Sequence, residues 1–466
     1  MKFGGTSVGS VKALENVVKI VKDARQEGHE IVVVVSAMSG VTDLLLNAAH
    51  QAEAGDEEAA RQARPQIVQK HTEAIRYFLD KTPERETVMA KINRMLDEFE
   101  ALCHGIHVLG ELTPRALDVI GGLGERMNAP QVAAILTQAG LPAQDVAATE
   151  LIVTDRRFGA AVPLIEQTGQ KTQAGLRPIL SDGRIPVVTG FIGATEDGIQ
   201  TTMGRGGSDY TATILGRALE ADEVWIWTDV NGVMTTDPRV VPEAHPIAHL
   251  SYAEVSELSY FGAKVLHPQA IRPARRSGIP LRILNTFKPD HPGTLVTAET
   301  KESHKTVKAV TSIKNMSLIS IEGQGMAGIP GVAGRTFTAV ARTDTSVLMI
   351  SQASSEQSIC FVVPTSDVSK VVESLEQELV REIERRDLDR IKWEEDTVIL
   401  AVVGSGMKGM PGVSGRLFGA LGREKVNVIA IAQGSSEFNI SLVITKGDAD
   451  KAVRAIHKEF GLEKPD

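Results

Sequence analysis

The sequence predicts an α/β protein, an open sheet domain with helices on both faces followed by two tandem copies of a smaller α+β module. Two observations carry this. Over the front two thirds, short β-branched runs alternate with helical apolar patterns, the grammar of strands buried under helices. In the last third, one glycine-rich segment and its flanking elements recur at a constant offset.

The elements follow in order. Residues Ile31 to Val35 form a continuous β-branched run, and Ile185–Val188 and Glu223–Trp227 read the same way, each ending in polar residues. Between Glu84 and Ile106 the positions Val88, Ile92, Met95, Phe99, Leu102 and Ile106 step by three and four, one face of a helix. Thr297–Thr306 is polar and reads as a linker. Beyond it, GQGMAGIPGV at Gly323 returns as GSGMKGMPGV at Gly404, 81 residues later. Gln352-Ala-Ser-Ser-Glu356 returns as Gln433-Gly-Ser-Ser-Glu437, and Asp367-x-x-Lys370 as Asp448-x-x-Lys451, at the same spacing. Each copy reads strand, helix, strand, strand, helix. In the first, these are Ser317–Glu322, a helix with Phe337 and Val340, Ser346–Ser351, Ser358–Pro364, and a helix N-capped by Asp367. The expected division is residues 1–296, a linker at 297–306, and modules at 307–390 and 391–466, with interleaving of the two modules left open.

Composition narrows the function. The 466 residues carry a net charge of −9 and only 4% aromatics, which excludes the basic and stacking surfaces that nucleic acids require. The two cysteines, Cys103 and Cys360, are isolated, so neither a disulfide framework nor a CxxC metal site is expected. No apolar run approaches the ~18–20 residues of a membrane span, and Met1-Lys2 leads straight into Phe3-Gly4-Gly5 without an apolar leader. A cytoplasmic protein is expected.

Several segments suit phosphoryl transfer. In Lys2-Phe3-Gly4-Gly5-Thr6-Ser7, two glycines after a short strand let backbone N–H groups approach a phosphate, and Lys2 supplies charge where negative charge develops. Gly204-Arg205-Gly206-Gly207-Ser208-Asp209-Tyr210 sets an arginine and an aspartate on a glycine-rich loop opening a helix. Trp227-Thr228-Asp229-Val230-Asn231-Gly232 and Thr235-Thr236-Asp237-Pro238-Arg239 come off a strand where ligands of open α/β sheets bind. Phe261-Gly262-Ala263-Lys264-Val265-Leu266-His267-Pro268 offers a further lysine, and Ser36–Thr42 and Gly124-Glu125-Arg126 add small polar groups and a carboxylate. His267 reads as structural.

Taken together and in this order, KFGGTSVG, GFIG, GRGGSDYTA, WTDVNGV, TTDPR and FGAKVLHP, followed by two modules that resemble the βαββαβ ACT domain, closely resemble the aspartate kinase family. The resemblance implies an amino-acid-kinase fold that phosphorylates the side-chain carboxylate of L-aspartate with ATP and Mg2+. It implies catalytic roles for Lys2 and Asp209, and substrate contacts from Ser36, Thr42, Glu125, Phe191, Arg205 and Ser208. It also implies nucleotide contacts from Gly4, Gly5, Thr228, Asp229, Met234, Arg239 and Lys264. Met234 stands where the family often carries a tyrosine beside the nucleotide. Metal ligands are not identified.

The roles are physically coherent. Arg205 can fork onto a carboxylate, Glu125 can neutralise an ammonium, and a carboxylate nucleophile needs no general base at pH 7. The chain stops at Asp466, so a monofunctional enzyme without an appended dehydrogenase is expected. The QxSSE strand ends resemble the threonine-sensitive branch, which implies allosteric L-threonine at Gln352 and Gln433. Edge strands of ACT-like sheets imply a homodimer or homotetramer through these modules. The alternatives are another amino acid kinase, acting on glutamate or acetylglutamate, and a non-catalytic amino-acid sensor.

Overall fold

The computed structural model describes residues 1–80, 83–262, 266–298, 305–323, 331–352 and 357–464. They form two compact units, one of residues 1–233, 248–252 and 265–300, the other of residues 234–247, 253–264 and 301–466. The units therefore do not follow the linear division expected at residue 297.

The first unit is built on an eight-stranded sheet in the spatial order Ala143–Val146, Ile185–Thr189, Val33–Val35, Lys2–Phe3, Val224–Thr228, Leu281–Asn285, Thr294–Thr297, His249–Ser251. The first six strands run parallel, and only the last two are reversed. Parallel strands need helices on both faces, which explains the apolar runs Val33–Val35 and Ile185–Val188; every residue of the strands Val33–Val35 and Ile185–Thr189 is buried. The run expected from Ile31 enters the ladder only at Val33, which pairs with Val187, while Lys2 and Phe3 pair with Val34 and Val35. The expected long helix spans Pro83–Leu109 and buries Val88, Ile92, Phe99 and Ile106 on one face, with Leu96 and Cys103 beside them. A second, three-stranded sheet joins Val153–Thr154, Ile192–Thr195 and Gln200–Thr202.

In the second unit the two repeats share one antiparallel sheet, ordered Met349–Gln352, Ser358–Pro364, Ala309–Glu322, Arg390–Val403, Asn439–Thr445, Ala430–Gln433. Its two central strands have fourteen residues each and pair with irregularities around Met316. Each strand therefore serves both repeats. Val307 and Val310 pack into the core of the second copy with Val398, Leu417 and Leu442, while Ile391 packs into the first with Ile319 and Phe361. The repeats interlock, and no cut near residue 390 separates them. The helices carrying Phe337 and Val340 (Val332–Arg342) and Val371 (Val368–Glu378) stand as expected. Asp367 precedes the latter but makes no side-chain capping bond and pairs with Lys370 at 3.2 Å.

Two segments from the middle of the sequence also belong to this unit. Thr235 Oγ1 lies 3.0 Å from His457 Nε2, and Val241 is part of the second copy's core. In the helix Tyr252–Tyr260, Glu254 is fully buried, pairs with Lys308 at 3.2 Å and accepts a 2.9 Å hydrogen bond from the Ser405 N–H. Among the described residues, no helix is long and apolar enough to cross a membrane.

Candidate active site

The carboxyl ends of the parallel strands converge on one constellation in the first unit. Lys2, on the first strand, reaches Asp209 in the first turn of the helix Gly207–Leu219, with Nζ to Oδ1 at 2.6 Å and side chains only 11% and 12% exposed. Two opposite charges so shielded fix each other's position, and removing one strands the other.

Beside them stands Glu125, in the first turn of the helix Leu123–Gln138 and 4% exposed. Burial pushes its carboxyl up to about 8, against the opposing pull of the Ala37 and Glu125 N–H groups and the charge of Lys2. Its Oε2 has no hydrogen-bond partner among the described residues. The helix comes this close because residue 124 is glycine, since a β-carbon there would stand 2.5 Å from that of Ala37 and 3.5 Å from Thr42 Oγ1. A buried acid with a free oxygen is a receptor for a cation.

The remaining expected substrate groups stand on other elements of the first unit. Ser36 ends the strand Val33–Val35, its N–H bonded to the Phe3 carbonyl at 3.2 Å. Phe191 has φ +70°, a left-handed conformation that costs a bulky residue of order 1–3 kcal/mol. It is held there from both sides, its N–H donating to Thr211 Oγ1 at 3.1 Å and its carbonyl accepting from the Met203 N–H at 2.9 Å. Ser208 is buried and packs so closely on Gly190 that a β-carbon there would meet it at 2.6 Å. Arg205 is exposed, with no ion pair or hydrogen bond among the described residues.

The expected nucleotide groups divide. Gly4 and Gly5 lie on the turn after Lys2, where a β-carbon on Gly5 would stand 3.0 Å from the Ala37 carbonyl and one on Gly4 would stand 3.5 Å from Lys2 Nζ. Thr228 ends the neighbouring strand and bonds Asp229 at 3.2 Å. Met234 and Arg239, by contrast, belong to the second unit, where Arg239 is paired with Asp237 at 2.6 Å. Lys264 lies outside the described residues. His267 caps the helix Pro268–Ser277, its Nδ1 accepting from the Gln269 N–H at 3.4 Å, which gives it the structural role expected.

Residues 1–285 match the model of the Amino acid kinase family, and residues 319–379 and 400–460 match an ACT domain. The chain is 33% identical over 471 residues to aspartokinase 1 of Arabidopsis thaliana, covering 99% of this chain and 79% of that protein. This chain belongs to the aspartokinase family. It is also 36% identical to the bifunctional aspartokinase/homoserine dehydrogenase 1 of A. thaliana, covering 99% of this chain, and it spans about half the length of such bifunctional relatives. Among solved structures, E. coli aspartokinase III in complex with aspartate and ADP is similar over 99% of both chains, with 30% identity and a TM-score of 0.84. The same enzyme with lysine and aspartate matches over 98% of both chains, with 31% identity and a TM-score of 0.77.

Three buried polar groups in this aspartokinase-family site escaped the sequence reading. Asp118, 2% exposed, accepts from Thr202 Oγ1 at 2.6 Å, the Thr202 N–H at 2.9 Å and the Gly159 N–H at 2.9 Å, tying a loop to the small sheet. Asn128 and Gln131, both fully buried, run back from Ser36 toward His71. Nothing in their spacing marks them.

Proposed function

We propose that this chain transfers the γ-phosphoryl group of ATP to the side-chain carboxylate of L-aspartate, giving 4-phospho-L-aspartate, the first step toward lysine, methionine and threonine. The observation that carries this reading is the Glu125 carboxyl, buried and with an unpartnered oxygen, beside the shielded Lys2–Asp209 pair. An amino-acid ammonium satisfies Glu125, Arg205 takes a carboxylate, and the second carboxylate attacks the γ-phosphorus as ADP leaves. Lys2 neutralises the developing charge and Asp209 holds Lys2 in place. The Gly4 N–H is bonded to the Trp227 carbonyl at 3.1 Å, so the narrow turn at Gly5, next in the chain, is where phosphate oxygens would approach the backbone. Among the described residues no group of three His, Cys, Asp or Glu side chains could hold a metal, so Mg2+ would arrive on the nucleotide phosphates. ADP release measured with aspartate, glutamate and acetylglutamate tests the reading. Turnover with glutamate but not aspartate would overturn it, and no turnover with any of them would favour a sensor.

Regulation is proposed to run through the repeats. Gln352 and Gln433 are exposed at the ends of the two edge strands, and a glutamine amide offers both the donor and the acceptor that suit L-threonine. The rest of the first QxSSE segment, Ala353–Glu356, lies outside the described residues. In the second, Glu437 accepts from the Gly409 N–H at 2.7 Å, so that acid ties its turn to the glycine-rich segment of the same repeat. The edge strands expose Ile350 at 51% and Ile431 at 45%, which supports a homodimer or homotetramer paired through this sheet in the cytoplasm.

A further inference from the structure

The helix Leu123–Gln138 grips one peptide group of the site at both ends. Asn128 Nδ2 donates to the Ser36 carbonyl at 2.7 Å, and the N–H of the same peptide, on Ala37, faces the Glu125 carboxyl. Glu125 and Asn128 are three residues apart, adjacent on one helix face.

The direction of this contact is forced. A backbone carbonyl only accepts, so Asn128 must present its amino group to Ser36 and keep its Oδ1 for Gln131 Nε2, at 3.4 Å. Gln131 is then left with Oε1, which faces His71 Nδ1 at 2.8 Å, so His71 must donate. Burial holds that histidine neutral, pushed down to about 4, so its ring carries one proton, on Nδ1. All three side chains are 0% exposed, and water cannot reorient them. The chain His71–Gln131–Asn128–Ser36 has one self-consistent arrangement.

We propose that Asn128 is a positioning residue for recognition of the substrate's ammonium group, fixing the Ser36–Ala37 peptide so that the Ala37 N–H points at the Glu125 carboxylate. The inference rests on the aspartate reading of this site. With the peptide fixed, Glu125 keeps an N–H donor that favours its charged form. With it free to tilt, that support is lost and Glu125 ionises less readily. Among the described residues, charged groups facing Glu125 are few. Lys2 acts on it from the first strand, and Asp209, from the helix Gly207–Leu219, is paired with Lys2. Thr42 and Ser36 on the other flanks are uncharged. Among the described residues Asn128 bonds Ser36 and Gln131 and neither Lys2 nor Asp209, so its effect passes through the peptide.

The test counts protons. Aspartate binding that requires ionised Glu125 releases a proton from every molecule in which it is neutral, read by calorimetry in buffers of different ionisation enthalpy. With Glu125 at about 8, the wild-type protein at pH 8 releases about 0.5 proton per aspartate. A tenfold loss of ionisation in Asn128→Leu, equivalent to ~1.4 kcal/mol, raises this to about 0.9. Gln131→Leu, which leaves Asn128 in place but frees its amide, moves the count the same way by less. Asn128→Ser, which keeps a donor, lies nearer the wild type and serves if the leucine variant does not fold. Counts near 0.5 in folded Asn128 and Gln131 variants overturn the proposal. Absence of any aspartate-linked proton release in the wild-type protein overturns the substrate reading, and the proposal with it.

Discussion

Raising the pH should tighten aspartate binding, because the free site holds Glu125 largely protonated at neutrality. With its carboxyl at about 8, roughly one molecule in eleven carries the charged form at pH 7, and about three in four do at pH 8.5. Since the ammonium pairs only with the carboxylate, the apparent KM for aspartate falls by about eightfold over that interval and flattens above it. The sign follows from burial. The folded protein binds a proton more tightly than the unfolded chain, so free-protein stability is fully present below about 4.5 and declines as the pH rises toward about 8. Bound aspartate opposes that decline. Steady-state kinetics at saturating ATP from pH 6.5 to 8.5 provides the assay, with Glu125→Gln as the control, in which KM is high and loses this slope. A wild-type KM that is flat or rises across the interval refutes the assignment of Glu125 to the ammonium.

Other outcomes follow from the same geometry. Lys2→Ala lowers kcat by about 100-fold or more, as loss of a group that meets developing charge does, and pre-steady-state ADP formation shows the loss in the chemical step. Asp209→Ala lowers kcat as well and leaves Lys2 shielded without a partner, costing ~3–5 kcal/mol of stability in urea unfolding, whereas a surface-like loss below ~1 kcal/mol would contradict the shielded pair. Arg205→Ala raises the aspartate KM by about 10- to 100-fold with little change in kcat, and a normal KM removes Arg205 from the substrate site. The double variant Gln352→Ala, Gln433→Ala abolishes inhibition by L-threonine, while inhibition by lysine alone in the unaltered protein overturns the effector assignment.

The sheet was legible because burial on both faces of a parallel strand demands apolar runs such as Val33–Val35 and Ile185–Val188, and few other elements produce them. The duplication was legible from its offset, but an offset records similarity and not pairing. Nothing in it says that Val307 and Val310 pack with the second copy while Ile391 packs with the first. Lys2, Asp209 and Glu125 meet as the motif order implies. The helix that carries Glu125 is not marked by periodicity, because it is buried nearly all round, has no amphipathic face and contains Pro130. Asn128, Gln131 and His71 stayed hidden for a related reason. A buried polar side chain is defined by partners distant in sequence, as His71 and Gln131 are, and no local spacing encodes them. Arg239 sits in the TTDPR motif expected at the nucleotide, yet that segment packs with the second repeat through Thr235 and Val241.

The central claim is that an acyl phosphate forms on the side chain of aspartate. Trapping the product with hydroxylamine during turnover measures it directly, because an acyl phosphate yields a hydroxamate and a phosphate ester or bare ATP hydrolysis does not. The account predicts aspartyl hydroxamate on the side-chain carboxyl in step with ADP release, and none in Asp209→Ala beyond its residual ADP. ADP released in the presence of aspartate without hydroxamate, or hydroxamate formed from glutamate instead, would contradict it.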